Sequence, residues 1–158
     1  MQMENNRFNI YVATEYIFGS LFLICGCTIY LFIRSKTLNI YRWCSQMGFT
    51  DYIDSVRLQV QHWNIPSFVK YSLPDGLYCA AYILIIDAIW HNDNRLIKYI
   101  IISFVPFVTI SSEIMQYFGL VKGTFDIYDL ICYSLPPTIY LIYNLNSLRF
   151  IKSKTEKK

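Results

Sequence analysis

The chain alternates long apolar runs with short polar breaks, and that alternation limits its possible folds more than any motif does. A hydrocarbon core about 30 Å thick takes roughly 20 helical residues to cross. Four runs approach that length, at 10–33, 73–90, 96–120 and 130–148. The first ends at Arg34 and Lys36, and the second is bounded by Asp75 and by the polar string His91-Asn92-Asp93-Asn94-Arg95. The fourth is followed by a basic tail at 149–158. With 54% hydrophobic and only 16% charged residues, the 158-residue chain reads as a single membrane domain. The expected fold is an all-α membrane protein, a four-transmembrane-helix bundle with an interfacial amphipathic helix between spans one and two.

Arg7 ahead of the first run, with Ile24-Cys25-Gly26-Cys27 inside it, has the outline of a secretory signal. The run continues through Ile33, beyond the length of a signal's apolar region, so a retained span is expected. Cys25, Cys27, Cys44, Cys79 and Cys132 form no CxxC pair and no cluster with His62 or His91. They read as small packing residues. Four spans put both termini and the Asn92 loop on one side. Lysine and arginine are more numerous there, and the tail cations favour an anionic cytoplasmic leaflet, so cytoplasmic termini are expected.

The interfacial segment covers 38–70. From Phe49, apolar residues recur at Ile53, Val56, Val60 and Trp63, on one helical face, with Thr50 placed to cap and Asp51 and Asp54 suited to the positive end of the dipole. Trp43, Trp63, Tyr41, Tyr52 and Tyr71 carry rings suited to headgroup depth.

Alternating spans then assign each acid to a membrane face. Asp75, Glu113, Gln116, Asp126 and Asp129 converge on the face of the long connection, while Glu15 and Asp87 belong near the other. A charge at mid-bilayer costs roughly 2.5–3.5 kcal/mol, so intramembrane acids face a partner, a cavity or a ligand. Capping accounts for several of them. Ser72-Leu73-Pro74-Asp75 fits a capping box, and Asp126 with Asp129 fits a cap and first-turn acid for span four. Glu113 sits near a helix C-terminus, where the dipole disfavours an anion, so it needs another explanation. Lys122 in the next loop is the obvious structural partner. Pro106, Pro136 and Pro137 each free a carbonyl one turn back, and those of Cys132 and Tyr133 lie just below Asp129.

The pattern Glu113-x-x-Gln116, followed by Gly123-Thr124-Phe125-Asp126-x-x-Asp129, resembles the signature of the VanZ-like family of small bacterial membrane proteins. The resemblance covers about 73–135. Lys122 and Thr124 stand near where that family usually carries an arginine, and Ile131-Cys132-Tyr133-Ser134 follows where it tends to have Asn and Gly. The resemblance implies a multi-pass protein of the bacterial inner membrane working at the cell envelope, since the family's namesake is linked to low-level glycopeptide (teicoplanin) resistance. It implies no reaction.

The expected ligand-binding set is Glu113, Gln116, Asp126, Asp129 and Asp75. The partner would be an amphiphilic or lipid-linked ligand in the bilayer, with oligomerisation open and no nucleic acid. If the protein is hydrolytic, Glu113 or Asp129 would be general base or ligand to Mg²⁺ or Mn²⁺, because carboxylate oxygens are hard donors. No histidine joins the set, which argues against zinc there, and no Ser or Cys sits beside a plausible base. Two further readings remain: a non-catalytic accessory subunit whose acids hold the bundle together, and proton-linked transport through Glu113 and Asp87.

Overall fold

A computed structural model describes residues 2–91 and 96–155, with side chains for 10–91 and 96–145. The polar string at 92–95 and the side chains of the basic tail lie outside the described residues. Among the described residues all regular structure is helical: α1 (Gln2–Phe32), α2 (Asn39–Gln46), α3 (Thr50–Val60), α4 (Ser67–Tyr71), α5 (Leu73–Ile89), α6 (Leu96–Tyr117) and α7 (Ile127–Thr155). The four long helices overlie the four apolar runs. Two of them, α1 over Ile10–Phe32 and α6, are long and apolar enough to cross a membrane. At 17 residues, α5 reaches about 25 Å.

Helix ends follow local chemistry. The third apolar run continues to Leu120, but α6 stops at Tyr117 because Gly119 turns left-handed at φ 69°. Its N–H bonds the Gln116 carbonyl and the Leu120 N–H bonds that of Met115, a Schellman closure. The last helix begins earlier than its apolar run, at Ile127, because the Asp126 carboxylate accepts the Tyr128 N–H at 2.9 Å. That cap is the one expected from sequence.

The long connection departs from the expected single amphipathic helix. Its apolar face stops at α3, which buries only Ile53, and Trp63 lies beyond the helix end, 67% exposed. Thr50 is the first helical residue rather than the cap, and its hydroxyl bonds Ser45. What fixes α3 is charge. Arg57 donates to the Leu31 and Arg34 carbonyls at the end of α1, and Lys36 bonds Asp54 at 2.7 Å, holding that carboxyl below its ordinary range.

Helix α5 is the hub, packed by α1, α7 and α6. Small residues bring the backbones close. A Cβ on Gly19 of α1 would stand 2.8 Å from Ile85, and one on Gly76 of α5 would stand 2.9 Å from the Cys132 Cβ and 3.1 Å from its carbonyl oxygen. The prolines of α7 contribute here. Pro136 frees the Cys132 carbonyl, which faces Gly76, and Pro137 frees that of Tyr133, which accepts the Cys79 thiol at 3.7 Å. The Tyr133 carbonyl therefore bonds α7 to α5, and that of Cys132 packs against the Gly76 backbone.

The distribution of polarity is the reverse of that in a water-soluble bundle. Glu15, Asp87, Lys98 and Glu113 are buried at 5–6% exposure. Ile17, Ile24, Phe104 and Phe107 on the outside are exposed. In water, contiguous apolar surface of this kind would be covered by a partner, and charged groups would point outward.

Candidate functional site

The structure holds two buried polar networks at opposite ends of α5. Asp75 opens the helix and Asp87 closes it, about 18 Å apart along the axis.

The first network is the one expected from sequence. Glu113 comes from the last turns of α6, Asp126 and Asp129 from the start of α7, and Asp75 from the start of α5. The Glu113 carboxylate accepts the Asp126 backbone N–H, with Asp129 and Asp75 as electrostatic neighbours. Among the described residues its Oε2 is buried without a hydrogen-bond partner, and so is Asp129 Oδ1. Gln116 takes a different part. Its amide lies directly on Gly123, where a Cβ would stand 2.6 Å from Gln116 Cδ, so it clamps the loop that delivers Asp126 and Asp129.

Two sequence expectations are corrected at this end. Lys122 does not neutralise Glu113. The lysine is exposed, and among the described residues the two form no ion pair, because the closure at Gly119 carries the loop away from the Glu113 side chain. The capping box at Ser72 does not form either. Ser72 is fully buried in a helical conformation, its Oγ lacks a partner, and its N–H bonds the Phe68 carbonyl because α4 runs almost directly into α5. Asp75 is thereby free to accept the Tyr30 hydroxyl of α1, and it also meets Tyr133 of α7 and the charge of Arg34. Asp75 is a link between helices, not a cap.

The second network was only half visible in the sequence. Asp87 pairs with Lys98 at 2.7 Å and accepts the Tyr140 hydroxyl at 2.5 Å, both through Oδ1. Glu15 contacts Asp87 and Tyr11. One side chain from each of the four long helices thus meets at a point. Tyr11 also lies against His91, ring centroids 4.8 Å apart, and stacks on Tyr143 at 6.4 Å. Glu15 and Asp87 stand out in sequence as acids near the terminal face. Lys98 does not, because two residues inside an apolar run it counts equally well as a loop cation. The tyrosines carry no signal, because their partners lie on other helices.

Beside this network, α1 and α7 diverge on one face of α5 and leave an apolar cavity of about 650 Å³, with Phe18, Phe22, Leu84 and Ile139 in its walls and Tyr11, Glu15 and Tyr143 at one end. In comparisons with family models, curated proteins and solved structures, nothing matches this chain.

Breaking a buried ion pair by removing one partner leaves an uncompensated charge and costs about 3–5 kcal/mol. Lys98→Met is expected to lower stability by that order in detergent unfolding measurements. Adding Asp87→Asn to it should recover most of the loss, because the neutral pair leaves no bare charge. A double variant no better than Lys98→Met alone would show that the pair is not coupled.

Proposed function

We propose that the chain is a four-span integral membrane protein of the VanZ-like kind, which uses the Glu113 network to hold the polar head of an amphiphilic or lipid-linked ligand at one leaflet. The observation that carries this reading is the pair of orphaned oxygens. Glu113 Oε2 and Asp129 Oδ1 are buried acceptors without donors among the described residues. An unpaired buried acceptor costs about 1–3 kcal/mol, more when charged. A ligand supplying ammonium or hydroxyl donors would remove that cost. Glu113 and Asp129 offer the hard oxygen donors that Mg²⁺ or Mn²⁺ accept, and an ion held by them would supply positive charge toward a phosphate head.

Polarity supports four spans rather than two. α1 and α6 expose most of their apolar surface instead of burying it as core helices would. α5 and α7 supply Asp87 and Tyr140 to the same buried network as Glu15 and Lys98, so they stand at the same depth. Lipid outside and polar groups inside satisfy both surfaces. The aromatic pairs Tyr117–Phe125 and Phe68–Tyr128 lie beside the acidic end, where amphipathic rings suit a headgroup region. The resemblance at Glu113-x-x-Gln116 and Asp126-x-x-Asp129 supports an envelope role in the bacterial inner membrane. The accessory-subunit reading draws on the same acids: Asp75 and Asp126 already serve structural bonds.

One experiment separates the two. The double variant Glu113→Gln/Asp129→Asn is expected to accumulate in the membrane like the wild type and to lose a co-purifying amphiphile in native mass spectrometry. Reduced accumulation with the amphiphile retained would contradict ligand binding and favour a structural role. Orientation is tested separately on intact cells. With cytoplasmic termini, a membrane-impermeant maleimide should label Cys44 in the long connection, and protection of Cys44 until the cells are permeabilised would reverse the assignment.

A further inference from the structure

The second network brings two acids against each other and leaves a buried oxygen without a partner among the described residues. Glu15 and Asp87 meet side chain to side chain, and Lys98 pairs with Asp87 at 2.7 Å. Lys98 and Tyr140 both bond Asp87 Oδ1, so neither uses Oδ2. Glu15, 6% exposed, keeps Oε2 without a partner among the described residues. At the same point stands His91, and ligand atoms of Glu15, Asp87 and His91 all lie within 4.8 Å of one another.

We propose that Glu15, Asp87 and His91 bind a divalent transition-metal ion of the zinc type at the terminal end of the bundle, a site separate from the Glu113 network. Two carboxylate oxygens and one imidazole nitrogen form the donor set that Zn²⁺ accepts, with a fourth position left for water. The imidazole selects against Mg²⁺ and Ca²⁺, which take oxygen ligands. Tetrahedral bonds of about 2.0–2.2 Å would set the donors roughly 3.5 Å apart, so side-chain movements of about an ångström close the site. Lys98 and Tyr140 hold Asp87 by its other oxygen, as outer-shell partners commonly hold a metal-binding carboxylate. Tyr11, bonded to Glu15 and lying on the His91 ring, orients the remaining two. The ion ties α1 to the end of α5, where the apolar cavity between α1 and α7 is lined by Glu15.

The test uses the full-length protein, purified in detergent and stripped with chelator. Isothermal titration with Zn²⁺ is expected to give one tight site per chain, little changed in Glu113→Gln and weakened at least tenfold in Glu15→Gln and in His91→Gln. Mg²⁺ should not compete. Because Glu15→Gln disturbs a buried network, the wild type supplies an independent readout: Co²⁺ in place of Zn²⁺ should show the intense visible absorption of a four-coordinate site. Absence of Zn²⁺ binding by the wild type, equal binding by His91→Gln, or a six-coordinate Co²⁺ spectrum would each overturn the assignment.

Discussion

The Asp87–Lys98 ion pair is the interaction on which the arrangement of the long helices depends. Two charges removed from water cannot be left singly, and each constrains the helix that carries it. Asp87 fixes the end of α5 against the start of α6, and through Tyr140 and Glu15 it draws α7 and α1 to the same depth. Apolar packing alone is nearly indifferent to rotation or sliding when lipid is as apolar as the side chains. The polar contacts supply the register, and the close approaches at Gly19 and Gly76 supply the proximity that makes those contacts possible.

The opposite end is built differently. There the acids outnumber the cation, Arg34 near Asp75, and the structure satisfies them piecemeal: Tyr30 for Asp75, backbone N–H groups for Glu113 and Asp126. Two oxygens remain over. A network with a buried ion pair at one end and an acid-rich one at the other suit different work. On the readings proposed above, the Lys98 end is a clasp that a metal ion would complete, and the Glu113 end, with its two orphaned oxygens, is where a ligand would be held. Proton transfer between Glu113 and Asp87 gains no support from this division, because the two belong to separate networks and Asp87 is committed to Lys98 and Tyr140.

The sequence made some of this visible, for identifiable reasons. Helix positions were legible because long apolar runs and punctuating charges are local signals, and the cap at Asp126 is local as well. Glu113 was legible as an exception, since no local rule places an anion at a helix C-terminus. Asp75 was misjudged because Ser72-Leu73-Pro74-Asp75 matches a local motif while its real partner, Tyr30, lies 45 residues away. Lys98 and Tyr140 were missed for the same reason: a charge two residues inside an apolar run has two equally good local readings, and only its distance to Asp87 decides between them. The long connection broke into three short helices because Gly48 and the 61–66 stretch interrupt a face that apolar spacing alone makes continuous.

The most direct test is hydrogen–deuterium exchange of the protein reconstituted in bilayers, read along the chain. A four-span bundle predicts slow exchange in four blocks, within α1, α5, α6 and α7, with fast exchange through the 34–72 connection and the 118–126 loop. Protection confined to α1 and α6, with α5 and α7 exchanging freely, would contradict four spans and with them the shared depth of Glu15, Asp87, Lys98 and Tyr140.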